Sequence, residues 1–285
     1  MFRPSFAFSV PLLAAGLLMS PLAPSAAPEA IAAEAAPQKR AAPTPQEVAW
    51  AFSDDEIIDG FMRTVFGSEG PEATVEANAQ VHKFVGPINV RIVSQSRFDD
   101  RRAFVVKFID TLRRTVPNLP IRVTKSADKA NMTIYLVDRS QYQPMVKAIV
   151  GERPDASFME ENNCSALASG DYSGIINKAI VFIVVNEGYR AFRHCMVEEI
   201  TQSLGPVNDS SELPYSIYND YSDVDGFGIF DWFIVTTLYD KRIKPGMSAT
   251  AAMEVLPAAI ADARKKLYKL VERKIIPPGG VRAPQ

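Results

Sequence analysis

Neither sign of charge is in excess: 31 Lys and Arg stand against 33 Asp and Glu, a net charge of −2. That balance excludes no fold, but it gives no reason to expect nucleic acid or an anionic membrane as partner. Beyond the first thirty residues no apolar run is long enough to cross a bilayer, and no internal repeat is visible. Cysteine occurs only twice, at Cys164 and Cys195.

What is present begins with a leader. Arg3, an apolar run to about Met19 and the small residues Pro24-Ser25-Ala26-Ala27 have the layout of a secretory signal over residues 1–27. The apolar centre is short and broken by proline, which argues against a membrane span; an uncleaved N-terminal anchor is the alternative. Residues 28–47, rich in Ala, Pro and charge, read as a flexible tether. Residues 48–276 are then a single domain able to bury a sizeable core, and 277–285 a disordered tail. Export predicts a periplasmic or secreted protein with no integral membrane segment after cleavage. In an oxidising compartment a Cys164–Cys195 disulfide is the default reading, closing a loop worth roughly 3 kcal/mol. Two free thiols or a metal site are the alternatives.

Periodicity gives the elements. Ser53-Asp54-Asp55-Glu56 carries a capping-box signal ahead of a helical stripe through Ile57, Phe61, Met62 and Val65, with Gly67 as its stop. A strand with one wet face is predicted over 85–93, then a helix from Asp99-Asp100 to Leu112, stopped by Pro117. Short strands follow at 121–124 and 132–137, then a helix over 140–150. Residues 155–174 show little periodicity and read as a loop. Lys178 to Asn186 is the strongest strand in the chain, followed by a helix from Tyr189 to Leu204 with a Gly205-Pro206 stop. Helices are predicted over 228–239 and over 249–274, the last interrupted at Pro257. Alternating strands and helices followed by mostly helical sequence point to α+β or mixed α/β.

The informative segment is HCMVEEITQSLGPVNDSSE, residues 194–212. On a helix His194, Glu198 and Gln202 fall in one line, with Glu199 beside it and Val197, Ile200 and Leu204 on the apolar face. Zinc proteases use His-Glu-x-x-His with this spacing because two nitrogens one turn apart grip the metal and the Glu activates its water. Here Glu198 stands at the first ligand position, Glu199 at the general-base position and Gln202 at the second. An oxygen set is harder than a pair of imidazoles and drifts toward calcium or magnesium. A His194/Glu198 pair one turn earlier is a further ligand option. The bland alternative is the solvated face of an amphipathic helix.

The continuation carries a resemblance. Gly205, then Asn208-Asp209, then Ser216-Ile217-Tyr218-Asn219, then Leu238-Tyr239-Asp240 follow the order of metzincin-type proteases. Asn208 or Asp209 falls at the third ligand position, and Tyr218 where the methionine of the turn under the site would stand. More closely, FMRTVFGSE (61–69), VHKFVGPINVRI (81–92), CMVEEITQSLGPVND (195–209), SIYND (216–220) and LYDKRIKPGM (238–247) resemble the DUF2927 family of exported bacterial proteins. The resemblance implies an α+β zincin-like fold, a mixed sheet with an active-site-type helix and a mostly helical C-terminal part. It also implies a Cys164–Cys195 pair, and it names no substrate.

Neither motif histidine is present, and a base without a metal activates nothing. The expectation is therefore an exported protein with a degenerate zincin-like site that binds a peptide or a cell-envelope partner without catalysis, with no cofactor. The alternative is a metal-dependent peptidase or hydrolase that binds zinc or calcium through Glu198, Gln202 and Asn208 or Asp209, with Glu199 as base. A third, structural reading has Glu198, Glu199 and Gln202 hydrogen-bonding the 208–210 turn and Asn219-Asp220.

Overall fold

The computed structural model describes residues 42–66, 80–97, 101–151, 162–219, 221–222 and 224–276. The proposed signal, most of the proposed tether, Gly67, Asp99-Asp100 and the proposed tail lie outside the described residues. The elements are α1 (Pro45–Ala49), α2 (Asp54–Val65), β1 (Ile88–Ser94), α3 (Arg102–Thr115), β2 (Ile121–Val123), β3 (Met132–Val137) and α4 (Arg139–Val150). They continue with β4 (Cys164–Gly170), β5 (Ile176–Val184), α5 (Tyr189–Gln202), α6 (Ile229–Leu238) and α7 (Ala249–Glu272).

The fold is α+β: a five-stranded mixed sheet and a helical C-terminal part. Strand order is β2-β1-β3-β5-β4. All pairs are parallel except β5 with β4, which is antiparallel. Strand β5 is buried on both faces over Val181-Phe182-Ile183-Val184, as a parallel strand under helices is, while β1 and the start of β3 alternate buried with half-buried residues. Helix α6 is buried all round, with Trp232, Phe233, Ile234 and Val235 as its apolar bulk, and it packs between α2 and α7.

Local signals explain the helix starts. Ser53 accepts from the Glu56 amide at 3.1 Å, and Glu56 takes the Ser53 amide at 2.8 Å, the reciprocal capping box. A shorter helix capped by Thr44 begins at Pro45, inside the stretch read as tether. Arg264 of α7 ties this N-terminal segment down: its guanidinium donates to the carbonyls of Ala49 and Phe52, both at 2.6 Å, and to Asp54.

Three expectations are corrected. Residues 164–170 are not loop but the antiparallel edge strand β4. Lys178 to Asn186, the strand that a zincin-like cleft would have at its edge, contains the interior strand β5; the sheet's edges are β2 and β4. Helix α7 runs through Pro257 without interruption. Pro257 lies on the solvent face, and Met253, whose carbonyl loses its helical partner, is also exposed, so water can satisfy that oxygen.

A short extended strap, residues 80–84, knits the two halves. The Val81 amide donates to Met247 O at 2.9 Å, and the Lys83 amide to Gly174 O at 3.0 Å. The buried Lys83 ammonium donates to the carbonyls of Leu238 and Ile243 at the end of α6. Burial lowers its pKa to about 8.

Candidate functional site

Helix α5 supplies the site. It lies against β4 and β5, and the Cys164–Cys195 disulfide joins its middle to the first residue of β4, with 5.7 Å between the Cα atoms. That cover changes the character of the polar face. Glu198, Glu199 and Gln202 are 5, 7 and 8 % exposed, so they do not form a solvated helix face. Buried carboxylates must find partners, and much of the local structure supplies them.

His194 is held from both sides. Its Nδ1 lies 2.9 Å from the carbonyl oxygen of Val224 and its Nε2 lies 3.1 Å from Glu198 Oε2. A carbonyl can only accept, so Nδ1 carries a hydrogen. Nε2 and the carboxylate then share a second proton: the pair is either imidazolium with carboxylate or imidazole with carboxylic acid. Gln202 Nε2 donates to Asp209 Oδ1 at 2.9 Å. Tyr142 of α4, fully buried, also reaches this region. Burial pushes its phenol up to about 12, the Ser165 hydroxyl works against that rise, and the nearby Glu199 carboxylate adds to it.

A cavity of about 240 Å³ lies between α5 and the outer edge of β4. Glu198, Glu199, Gln202 and Asp209 line it, together with Cys164, Ser165, Ala166 and Ala168. Asn208 does not. Its side-chain amide donates to Arg63 O at 2.8 Å and its backbone amide to Thr64 O at 3.2 Å, closing the end of α2. On the other side of Glu198 and Cys164 a second cavity, of about 510 Å³, takes in His194, Cys195, Arg190 and Asp225.

The turn under the site is built on Asp231. Its Oδ1 accepts from Ser216 Oγ at 2.7 Å and from the Ile217 amide at 3.1 Å, and its Oδ2 accepts from the Gly228 amide at 2.9 Å. The Ser216 hydroxyl accepts in turn from the Tyr218 amide at 3.1 Å. Tyr218 is wholly buried and its phenol faces Thr201 of α5; burial raises its pKa well above the usual value. Asn219 closes the turn by accepting from the Tyr221 amide and donating to Ser211 O.

The motif positions thus come together as a hydrogen-bonded network. Glu198 faces His194, and Gln202 faces Asp209. That arrangement suits zinc poorly at the motif positions, because Glu198, Gln202 and Asp209 would offer it only oxygen ligands, and zinc selects nitrogen and sulfur. Tyr142 and Ser165 escaped the sequence reading: neither belongs to a spaced motif, and only the pairing of β4 with β5 brings Ser165 to α5.

The backbone edge completes the site. The Val184 amide donates to Asn163 O at 2.8 Å, which fixes the phase of the β4–β5 ladder. In an antiparallel pair alternate residues bond to the partner strand. Asn163, Ser165 and Leu167 therefore turn their peptide groups toward β5, and Cys164, Ala166 and Ala168 turn theirs outward. All three outward residues line the cavity, together with Ser165.

A family model described as "Protein of unknown function (DUF2927)" matches residues 54–258. No curated protein and no solved structure matches the chain.

Proposed function

From a chain that belongs to the DUF2927 family, whose description assigns no activity, we propose a non-catalytic peptide-binding protein. An extended peptide pairs with the outer edge of β4 and drops one side chain into the cavity over Glu198 and Glu199. The observation that carries this reading is the outward row of peptide groups at Cys164, Ala166 and Ala168, next to side chains too small to cover them. None of the described side chains lining the cavity is Lys or Arg, and three are carboxylates. The side chain that enters is therefore a lysine or an arginine. A helix carrying polar residues beside an antiparallel edge strand also agrees with the zincin-like resemblance. The hydrolase alternative is disfavoured because Gln202 and Asp209 bond to each other and Glu198 to His194. Export is part of the proposal: a disulfide, and no helix among the described residues long and apolar enough to cross a membrane, are compatible with a secreted or periplasmic protein.

Peptides selected from a displayed random library on the folded protein are expected to carry a basic residue. Their affinity should fall at least about tenfold in Ala168→Pro, since proline removes one outward N–H and proline is tolerated on the open side of an edge strand. Glu199→Gln should weaken basic peptides and leave stability within about 1 kcal/mol, since the isosteric amide keeps the packing. Selected binders indifferent to both changes, or no enrichment at all, would overturn the reading.

A further inference from the structure

The disulfide sits in unusual company. Cys164, Cys195, His194 and Glu198 all line the larger cavity. The sulfur of Cys164 and one oxygen each of Glu198 and Glu199 lie within 4.8 Å of one another. His194 is oriented as metal-binding histidines are: its Nδ1 is fixed on a backbone carbonyl, Val224 O at 2.9 Å, and its Nε2 lies 3.1 Å from Glu198 Oε2, a residue of that cluster. In the disulfide form the sulfurs are bonded to each other and offer no thiolate.

We propose that reduction of Cys164–Cys195 frees Cys164 and Cys195 to join Glu198 and His194, which borders the cluster through Glu198, in a zinc site. The chemistry balances with a dithiol as reductant. One of its thiolates attacks a cystine sulfur, the Cys164–Cys195 bond breaks, and the second dithiol sulfur closes the reductant into its own disulfide. Two electrons and two protons pass to the protein. Zinc then takes both sulfurs as thiolates, and the two thiol protons go to solvent. Two thiolates, a neutral imidazole and a carboxylate are a donor set that zinc accepts, softer than the oxygen set at Glu198, Gln202 and Asp209.

The reductant has a route in, because both cysteines border the larger cavity. The metal would hold β4 to α5 in the reduced protein as the disulfide does in the oxidised one. The proposal does not depend on a peptide at the β4 edge.

The test uses the full chain, oxidised and reduced with a phosphine under argon, with zinc affinity measured by competition with a chromogenic chelator. The reduced chain is expected to bind one zinc, and the oxidised chain at least about a hundredfold more weakly, given the strength of structural zinc–thiolate sites. His194→Ala and Glu198→Gln should each weaken the reduced site at least about tenfold, the loss seen even for an outer-shell partner. Cobalt in place of zinc should give a thiolate-to-metal charge-transfer band that is absent in Cys164→Ser/Cys195→Ser. If the reduced chain or a variant unfolds, zinc is expected to raise the melting temperature of the reduced chain and not that of the oxidised one. Equal binding by both redox forms would overturn the proposal. So would a reduced-form affinity unchanged by His194→Ala and Glu198→Gln, which would reduce the site to two generic thiols.

Discussion

Replacing Gly205 by alanine is expected to destabilise the protein by about 4 kcal/mol, combining roughly 1–3 kcal/mol of backbone strain with roughly 1–3 kcal/mol of overpacking. Gly205 has φ +135°, a conformation that side-chain-bearing residues avoid. A Cβ there would lie 2.2 Å from the His82 carbonyl oxygen and 2.9 Å from Leu238 Cδ2. The obstacle is backbone, and it cannot yield cheaply: the amides of Val81 and Lys83 on either side of His82 bond to Met247 and Gly174. Gly188 supplies the control. It also has positive φ, +99°, but a Cβ there meets nothing within 4 Å. Gly188→Ala should therefore cost only the conformational part, about 1–2 kcal/mol. Urea denaturation of the three proteins measures the difference. Equal losses for the two variants would show that the contact with the strap contributes nothing. The site should feel the first change, because Gly205 turns the chain between Gln202 and Asp209, whose 2.9 Å bond closes the lower side of the cavity.

The sequence was legible where a signal is local and silent where the answer depends on a neighbour. The capping box at Ser53, the apolar run that became β5 and the Gly205 stop are local, and each lies where periodicity or turn chemistry predicts it. Strand β4 was invisible because CSALASG has no β-branched or aromatic residue; it is a strand only because β5 pairs with it. The same dependence hid the burial of Glu198, Glu199 and Gln202. Their spacing alone fits a solvated helix face equally well, and the choice is made by the strand that lies over them. Spacing also left Asn208 and Asp209 as equals. The end of α2 separates them, taking Asn208 to the Arg63 carbonyl and leaving Asp209 on Gln202.

Loss of the Asp231 side chain, in Asp231→Ala, is expected to cost roughly 5 kcal/mol, because three donors that now converge on it would be buried without an acceptor, at about 1–3 kcal/mol each. Those donors are Ser216 Oγ and the amides of Ile217 and Gly228. The turn they hold carries Tyr218 against α5, so the site helix should loosen with it. Asp231→Asn asks a finer question. Asp231 is 0 % exposed, and burial pushes its carboxyl from 3.8 up to about 6, against hydrogen bonds that favour the charged form. Between those two values the folded protein keeps a proton that the unfolded chain has released. More protons are bound in the folded state, so this group's contribution to stability is complete below about 3.8 and is lost as pH rises through about 6. Linkage puts the loss at about 3 kcal/mol. The asparagine variant has no proton to lose at this position. The stability of the wild type measured relative to Asp231→Asn should therefore fall by most of that amount, roughly 2 kcal/mol, between pH 4 and pH 7, as read from urea midpoints. A relative stability that climbs with pH instead would mean that the three donors hold the carboxylate ionised and outweigh burial. The turn under the site would then be a charged anchor at neutral pH rather than one weakened by its own charge.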